Sequence, residues 1–201
     1  MQILNNVFNE RTLNIMMDIE TTGIRPGCRV LSIGLAVFYI ANANGKGTIG
    51  HTTTIYPSLA DQVGLDDMNT MGWWSTQSPE ARNVFADNHI NGVTVGKAFE
   101  AFKEFIQNAV DWHKSLNDGA EKVSVCIWGN GATFDNSIVQ HMFEAKGYPV
   151  PWNTFGDRCY RTAFNMLGRP SLPREGVHHN ALDDAIYQAQ CLVHAIKNAS
   201  E

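Results

Sequence analysis

The sequence predicts an α/β protein with a mixed sheet, antiparallel in its first three strands and parallel afterwards, with helices on both faces. Three observations carry this prediction. Apolar runs of strand length occupy residues 13–18, 30–40 and 123–129. From Thr94 onward the apolar spacing changes to steps of three and four, with Ala98, Phe99, Phe102, Phe105, Ile106, Ala109 and Val110 on one helical stripe. A strand-rich beginning followed by alternating helices and strands suits a sheet covered on both sides.

The elements follow in order. Residues 13–18 read as a short apolar strand, and "VLSIGLAVFYI" as a longer, largely buried one. "ANANGKG", with Asn44-Gly45 at its centre, leads into "TIGHTTTIYP", so the second and third strands are expected to form an antiparallel hairpin. After the Thr94 helix comes the strand "VSVCIWG", then a helix over residues 134–146 that Gly147 ends. A last helix begins near Asn180, with Ile186, Ala189, Val193 and Ile196 as its core stripe.

Composition narrows the class. A chain of 201 residues, 44% hydrophobic and 17% charged, supplies one sizeable core, and a single domain over residues 1–201 is expected. The net charge of −5 argues against a general basic coat, yet leaves room for a local basic patch and for a cation at an acidic site. Cys28, Cys126, Cys159 and Cys191 lie far apart without zinc-ligand spacing, and read as reduced, mostly buried thiols. No apolar stretch approaches the ~20 residues that span a bilayer, and the polar start lacks the pattern of a signal peptide. A soluble, cytoplasmic protein with no membrane partner is expected.

The stretch "NIMMDIETTG" places Asp18 and Glu20 at the end of an apolar strand, where alternation points both to one side and Ile19 to the other. Two neighbouring carboxylates raise each other's pKa unless a cation lies between them. A hard divalent ion such as Mg²⁺ or Mn²⁺ suits oxygen ligands. A solvated strand end is the plainer account of the same pair. In "IWGNGATFDNSIV", Asp135 follows an apolar strand and stands in the first turn of the next helix, at the sheet end where α/β folds bind ligands. It could equally complement the helix dipole. In "HHNALDDAIYQAQ", His179 and Asp184 would diverge by ~140° on one helix, so they converge only if His179 lies in the preceding loop. Asn180 as N-cap permits this, and places Asp183 third in the helix as the structural acid and Asp184 as the functional one.

"MDIETTG", "NGATFDN" and "HNALDDA", in this order, resemble the three motifs of the DEDDh 3'→5' exonucleases, a superfamily with a ribonuclease H-like fold. The resemblance covers residues 14–190. "MGWWSTQSPEAR" is similar to a segment of the phage exonuclease A and bacterial 3'→5' exoribonuclease group, which points to a phage or prophage enzyme in a bacterial cell. The resemblance implies that Asp18, Glu20, Asp135 and Asp184 hold two Mg²⁺ or Mn²⁺ ions, and that His179 is the general base. Together these five would be the catalytic set, releasing nucleoside 5'-monophosphates from single-stranded 3' ends, with DNA favoured over RNA. His178 is a competing base.

Substrate contacts are expected at Thr21, Thr22, Phe134, Trp74 and Arg161. Trp73 and Trp74 both offer stacking faces, but neighbours on a helix cannot share one groove, so one belongs to the core. Thr21 and Thr22 could instead only shape a turn, and Phe134 could only plug the sheet. Between residues 146 and 174, Lys146, Arg158, Arg161, Arg169 and Arg174 face one acid, Asp157, which makes this stretch the candidate contact with the nucleic-acid backbone. Many relatives carry Asp two residues before the Arg-Thr pair, where this chain has Cys159, so Asp157 is a possible substitute. A homodimer could supply further basic surface. The "GNG" of "WGNGATF" lacks the third glycine of a dinucleotide-binding loop, because Phe134 takes its place.

Overall fold

The structure is a computed structural model and describes residues 11–39, 48–117, 122–170 and 172–199. Its strands are β1 (Thr12–Thr21), β2 (Val30–Tyr39), β3 (Thr48–Ile55), β4 (Ser124–Gly129) and β5 (Asp157–Cys159). Its α-helices are α1 (Met68–Ser75), α2 (Pro79–Asn91), α3 (Val95–Leu116), α4 (Asp135–Glu144), α5 (Tyr160–Met166) and α6 (Ala181–Asn198). The sheet order is β3-β2-β1-β4-β5. β1, β2 and β3 pair antiparallel, while β4 runs parallel to β1 and β5 parallel to β4. This is the mixed sheet that the sequence predicts. The Asn44-Gly45 turn lies outside the described residues, although the strands it would join pair as expected.

β1 is central and buried on both faces, and its alternation decides what each face receives. Leu13, Ile15, Met17 and Ile19 pack with Phe99 and Phe102 of α3 and with Ile138, Val139 and Phe143 of α4. Met16, from the opposite set, packs with Ala185, Ala189 and Leu192 of α6 and with Tyr160 of α5. Helices therefore cover both faces. Asp18 and Glu20 share the parity of Met16, so the same two-residue period that builds the cores delivers both acids toward α6.

Close approach of α6 depends on Gly34, the register partner of Asp18 on β2. A Cβ at Gly34 would run into the Ala181 and Leu182 backbone, so only glycine lets the first turn of α6 lie on the sheet beside Asp18.

The bounds of α1, taken in the sequence only as the helical setting of Trp73 and Trp74, and the whole of α2 are new here, although both carry start signals. Asp67 caps α1 by accepting from Asn69 N at 3.4 Å and Thr70 N at 3.2 Å. Ser78 caps α2 by accepting from Ala81 N at 3.2 Å, with Pro79 in the first turn. The pair buries Trp74, Ala81 and Val84 against Leu31 of β2. β5 and α5 also went unread, because a three-residue strand has too few positions to show a period. Among the described residues, no helix is long and apolar enough to cross a membrane.

Candidate active site

The four acids and the histidine come from four separate places. β1 supplies Asp18 and Glu20, the start of α4 supplies Asp135, the loop before α6 supplies His179, and its first turn supplies Asp184. A cleft of ≈ 920 Å³ collects Asp18, Glu20, His179 and Asp184, and its wall includes Trp73, Phe134, Arg161 and Arg174. Asp135 lies just behind it, 1% exposed. Ligand atoms of Glu20, His179 and Asp184 all lie within 4.8 Å of one another.

The loop brings His179 to Asp184 by a left-handed turn. His179 has φ +61, and its backbone N–H donates to Asp184 Oδ2 at 3.1 Å. Asn180 caps α6 by accepting from Leu182 N at 3.1 Å and Asp183 N at 3.2 Å. Asp183 is structural, as expected, but reaches further back than a capping box requires: its Oδ2 accepts from Val177 N at 2.7 Å. His178 is exposed, with its ring centre 5.9 Å from that of His179.

Electrostatics sets the character of the site. Burial, then the charges of Asp135 and Glu20, push Asp18 well above the usual carboxylate range, opposed by Gln188 and Arg174. Burial, then Asp135, pushes Glu20 to about 8. Burial raises Asp135 to about 7, against backbone N–H groups including that of Ile19. His179 is moved the other way, lowered by burial and then by its neighbours His178 and Arg174. The shift favours the neutral imidazole beside the buried acids.

The residues fit divalent ions. Glu20 Oε1 and Asp135 Oδ2 are buried and find no hydrogen-bond partner among the described residues, and unpaired buried carboxylate oxygens are costly unless a cation satisfies them. Oxygen-rich donors with one imidazole suit Mg²⁺ or Mn²⁺ better than a thiol-seeking metal.

Around this centre the expected contacts divide. Thr21 Oγ1 donates to Gly23 O at 2.6 Å, and Arg29 N donates to Thr22 Oγ1 at 3.2 Å, so both hydroxyls shape the turn. Trp74 also borders the cleft, but it is only 2% exposed and its indole N–H donates to Thr21 O at 2.8 Å. It is the core member of the pair. Trp73, 42% exposed, presents a face to the cleft and meets the His179 ring edge-to-face at 4.8 Å. Phe134 lines the cleft and also packs against the α3/α4 core. Arg161 lines the cleft and donates through Nη2 to Asn130 O at 2.7 Å.

The basic stretch also separates. Arg161, Arg169 and Arg174 line the cleft. Lys146 instead pairs with Asp61 at 3.1 Å, and Arg158 donates to Phe155 O at 3.0 Å, both away from the cleft lining. Asp157 is a structural hub, accepting from Asn136 Nδ2 at 2.7 Å, Gln140 Nε2 at 3.1 Å and Trp152 Nε1 at 2.7 Å.

Gln188 went unread as a site residue. Its Nε2 donates to Asp18 Oδ1 at 2.7 Å. The signal was its place one turn after Asp184, on the same helix face.

The mixed sheet gathers Asp18, Glu20, His179 and Asp184 at one cleft with Asp135 behind it, a set of donors suited to divalent cations. The sequence model of the 3'-5' exoribonuclease Rv2179c-like domain matches residues 13–196, and the chain belongs to that family. Solved structures share its fold. Cell-death related nuclease 4 superposes with a TM-score of 0.58 at 14% identity, over 92% of this chain and 64% of that one. The nuclease domain of 3'hExo, described as a DEDDh family member bound to rAMP, gives 0.55 at 12% identity, over 92% of each chain. A full-length 3'-exonuclease gives 0.55 at 12% identity, over 96% of this chain and 63% of that one. This chain thus spans under two thirds of the length of the first and third of these. A comparison with curated proteins returned no match.

Proposed function

We propose that this chain is a metal-dependent exoribonuclease that removes nucleoside 5'-monophosphates one at a time from the 3' end of single-stranded RNA. The observation that carries the reading is the convergence of Glu20, Asp184 and His179 within 4.8 Å, with the charge of the buried Asp135 felt by both Asp18 and Glu20. The expectation stated from the sequence favours DNA, with RNA as the alternative. The exoribonuclease family that the chain belongs to and the rAMP bound to 3'hExo support RNA instead.

Asp18, Glu20, Asp135 and Asp184 would hold two Mg²⁺ or Mn²⁺ ions. Such ions would neutralise the acids and would supply charge stabilisation for the attacking and leaving oxygens. The chain's own groups do the rest. His179, held neutral near pH 7, takes the proton of the attacking water. Gln188 fixes one oxygen of Asp18. Trp73 offers its exposed face to the terminal base. Because the phosphoryl centre is displaced without a protein nucleophile, positioning and charge neutralisation supply most of the rate.

The test is a time course on 5'-labelled single strands of one sequence, as RNA and as DNA, with Mg²⁺ or EDTA. A metal-dependent ladder shortening from the 3' end, faster for RNA, is expected. Equal or faster loss of the DNA strand would overturn the polymer assignment, and intact strands in every metal would overturn the activity.

A further inference from the structure

We infer that Arg174 holds the terminal phosphodiester of the substrate, through the part of its guanidinium that Asp184 leaves open. The inference deepens the exoribonuclease reading and rests on it. Arg174 is the one cation of the basic stretch paired with an acid of the site: its Nη2 forms an ion pair with Asp184 Oδ1. Arg161, by contrast, is engaged by Asn130, and Lys146 by Asp61.

The guanidinium is also held against an aromatic ring. It lies over the Tyr187 ring at 4.8 Å, and the Tyr187 hydroxyl donates to Leu172 O at 3.2 Å. A guanidinium packed on a ring loses freedom, and its planar fork of donors matches the oxygens of a phosphate better than a flexible ammonium does. Its hydrogen bonding is incomplete as well. Nε is buried without a partner among the described residues, and the weak contact from Nη2 to Val177 O is 3.5 Å long. A phosphodiester placed for attack at His179 and Asp184 lies beside this group, in the cleft that Arg174 lines. Its non-bridging oxygens supply the acceptors that the protein does not.

The assignment is tested without catalysis, by anisotropy of a short 5'-labelled single-stranded RNA in EDTA across a KCl series. Wild type is compared with Arg174→Met and Arg174→Lys. Loss of one phosphate contact is expected to lower the slope of log K against log salt by about 0.7 in Arg174→Met. Arg174→Lys should keep the slope and bind several-fold more weakly, since the charge stays and the fork goes. A wild-type slope in Arg174→Met overturns the inference. So does a change confined to Mg²⁺ affinity, read by tryptophan fluorescence, which would mean that Arg174 only positions Asp184.

Should Arg174→Met fail to fold, wild type decides. A nucleoside 5'-monophosphate is expected to protect Arg174 from phenylglyoxal, read by peptide mass, where the nucleoside does not. Equal labelling overturns the inference. Wild type that shortens RNA yet shows no Arg174-dependent slope or protection removes only this assignment. Wild type that never shortens RNA removes the proposed function.

Discussion

The backbone N–H of His179 donates to Asp184 Oδ2 across a left-handed turn, so the proposed base and a proposed metal ligand are fixed to each other by main chain rather than by side-chain packing. Position and chemistry at residue 179 are therefore separable. Asn tolerates positive φ, and His179→Asn should keep the fold while kcat falls ~10²–10⁴-fold. His179→Val should in addition lose ~1–2 kcal/mol of stability, because a β-branched residue resists that conformation. Circular dichroism melts beside single-turnover assays check both, and an active His179→Asn would remove the general-base role.

Stability without metal should fall as pH rises. Burial lifts Glu20 from 4.5 to about 8 and Asp135 from 3.8 to about 7, so the folded chain keeps protons that the unfolded chain releases. The stabilisation is complete below the unfolded values, and is lost as pH climbs through the folded ones. In EDTA the melting temperature is expected to be higher at pH 5.5 than at pH 8 by several degrees, at ~2–4 °C for each kcal/mol. Added Mg²⁺ should raise it most at pH 8. A melting temperature that rises with pH in EDTA would contradict the burial of these acids.

Glu20→Gln should oppose the two properties. It removes a buried charge from beside Asp18 and Asp135, so the metal-free protein is expected to melt higher at pH 8 than wild type. Activity should drop by at least ~10²-fold with the loss of a charge-holding group. A variant that lost stability and activity together would point to a structural carboxylate.

The two tryptophans should behave oppositely. Trp73→Ala removes an exposed stacking face, and is expected to cost ~1–3 kcal/mol of RNA affinity with little change in melting. Trp74→Ala empties a buried site and breaks the bond to Thr21 O, and should cost ~3–5 kcal/mol of stability. RNA anisotropy and chemical denaturation separate them; equal effects of the two would refute the division.

Gly34→Ala is expected to damage the site from a position that holds no reactive group. Its Cβ would push Ala181 and Leu182 off the sheet, and with them Asp184. Loss of Mg²⁺ binding together with lowered stability is the expected result, measured by calorimetry and thermal melting. Unchanged Mg²⁺ affinity would show that the sheet yields there.

Much of this protein was readable as a line of residues. The period of two along β1 sets Asp18 and Glu20 on one side. The helical steps after Thr94 and the cap at Asn180 locate α3 and α6. The three ordered motifs contain the five residues proposed for the site, because each is tied to a local signal of strand, turn or cap. Contacts between distant segments leave no local trace. Nothing within "GWWS" says that Trp74 goes to the core and Trp73 to the cleft; that follows from where α1 docks on Leu31. Nothing in the basic stretch separates Arg174, beside Asp184, from Lys146, which pairs with Asp61 some 85 residues away. Asp157 looked available for substrate until Asn136, Gln140 and Trp152 closed around it. Periodicity and capping are properties of neighbours in the chain and survive in the sequence alone. Burial, partner choice and the raised pKa values of the acids depend on which surfaces meet, and only the folded chain decides that.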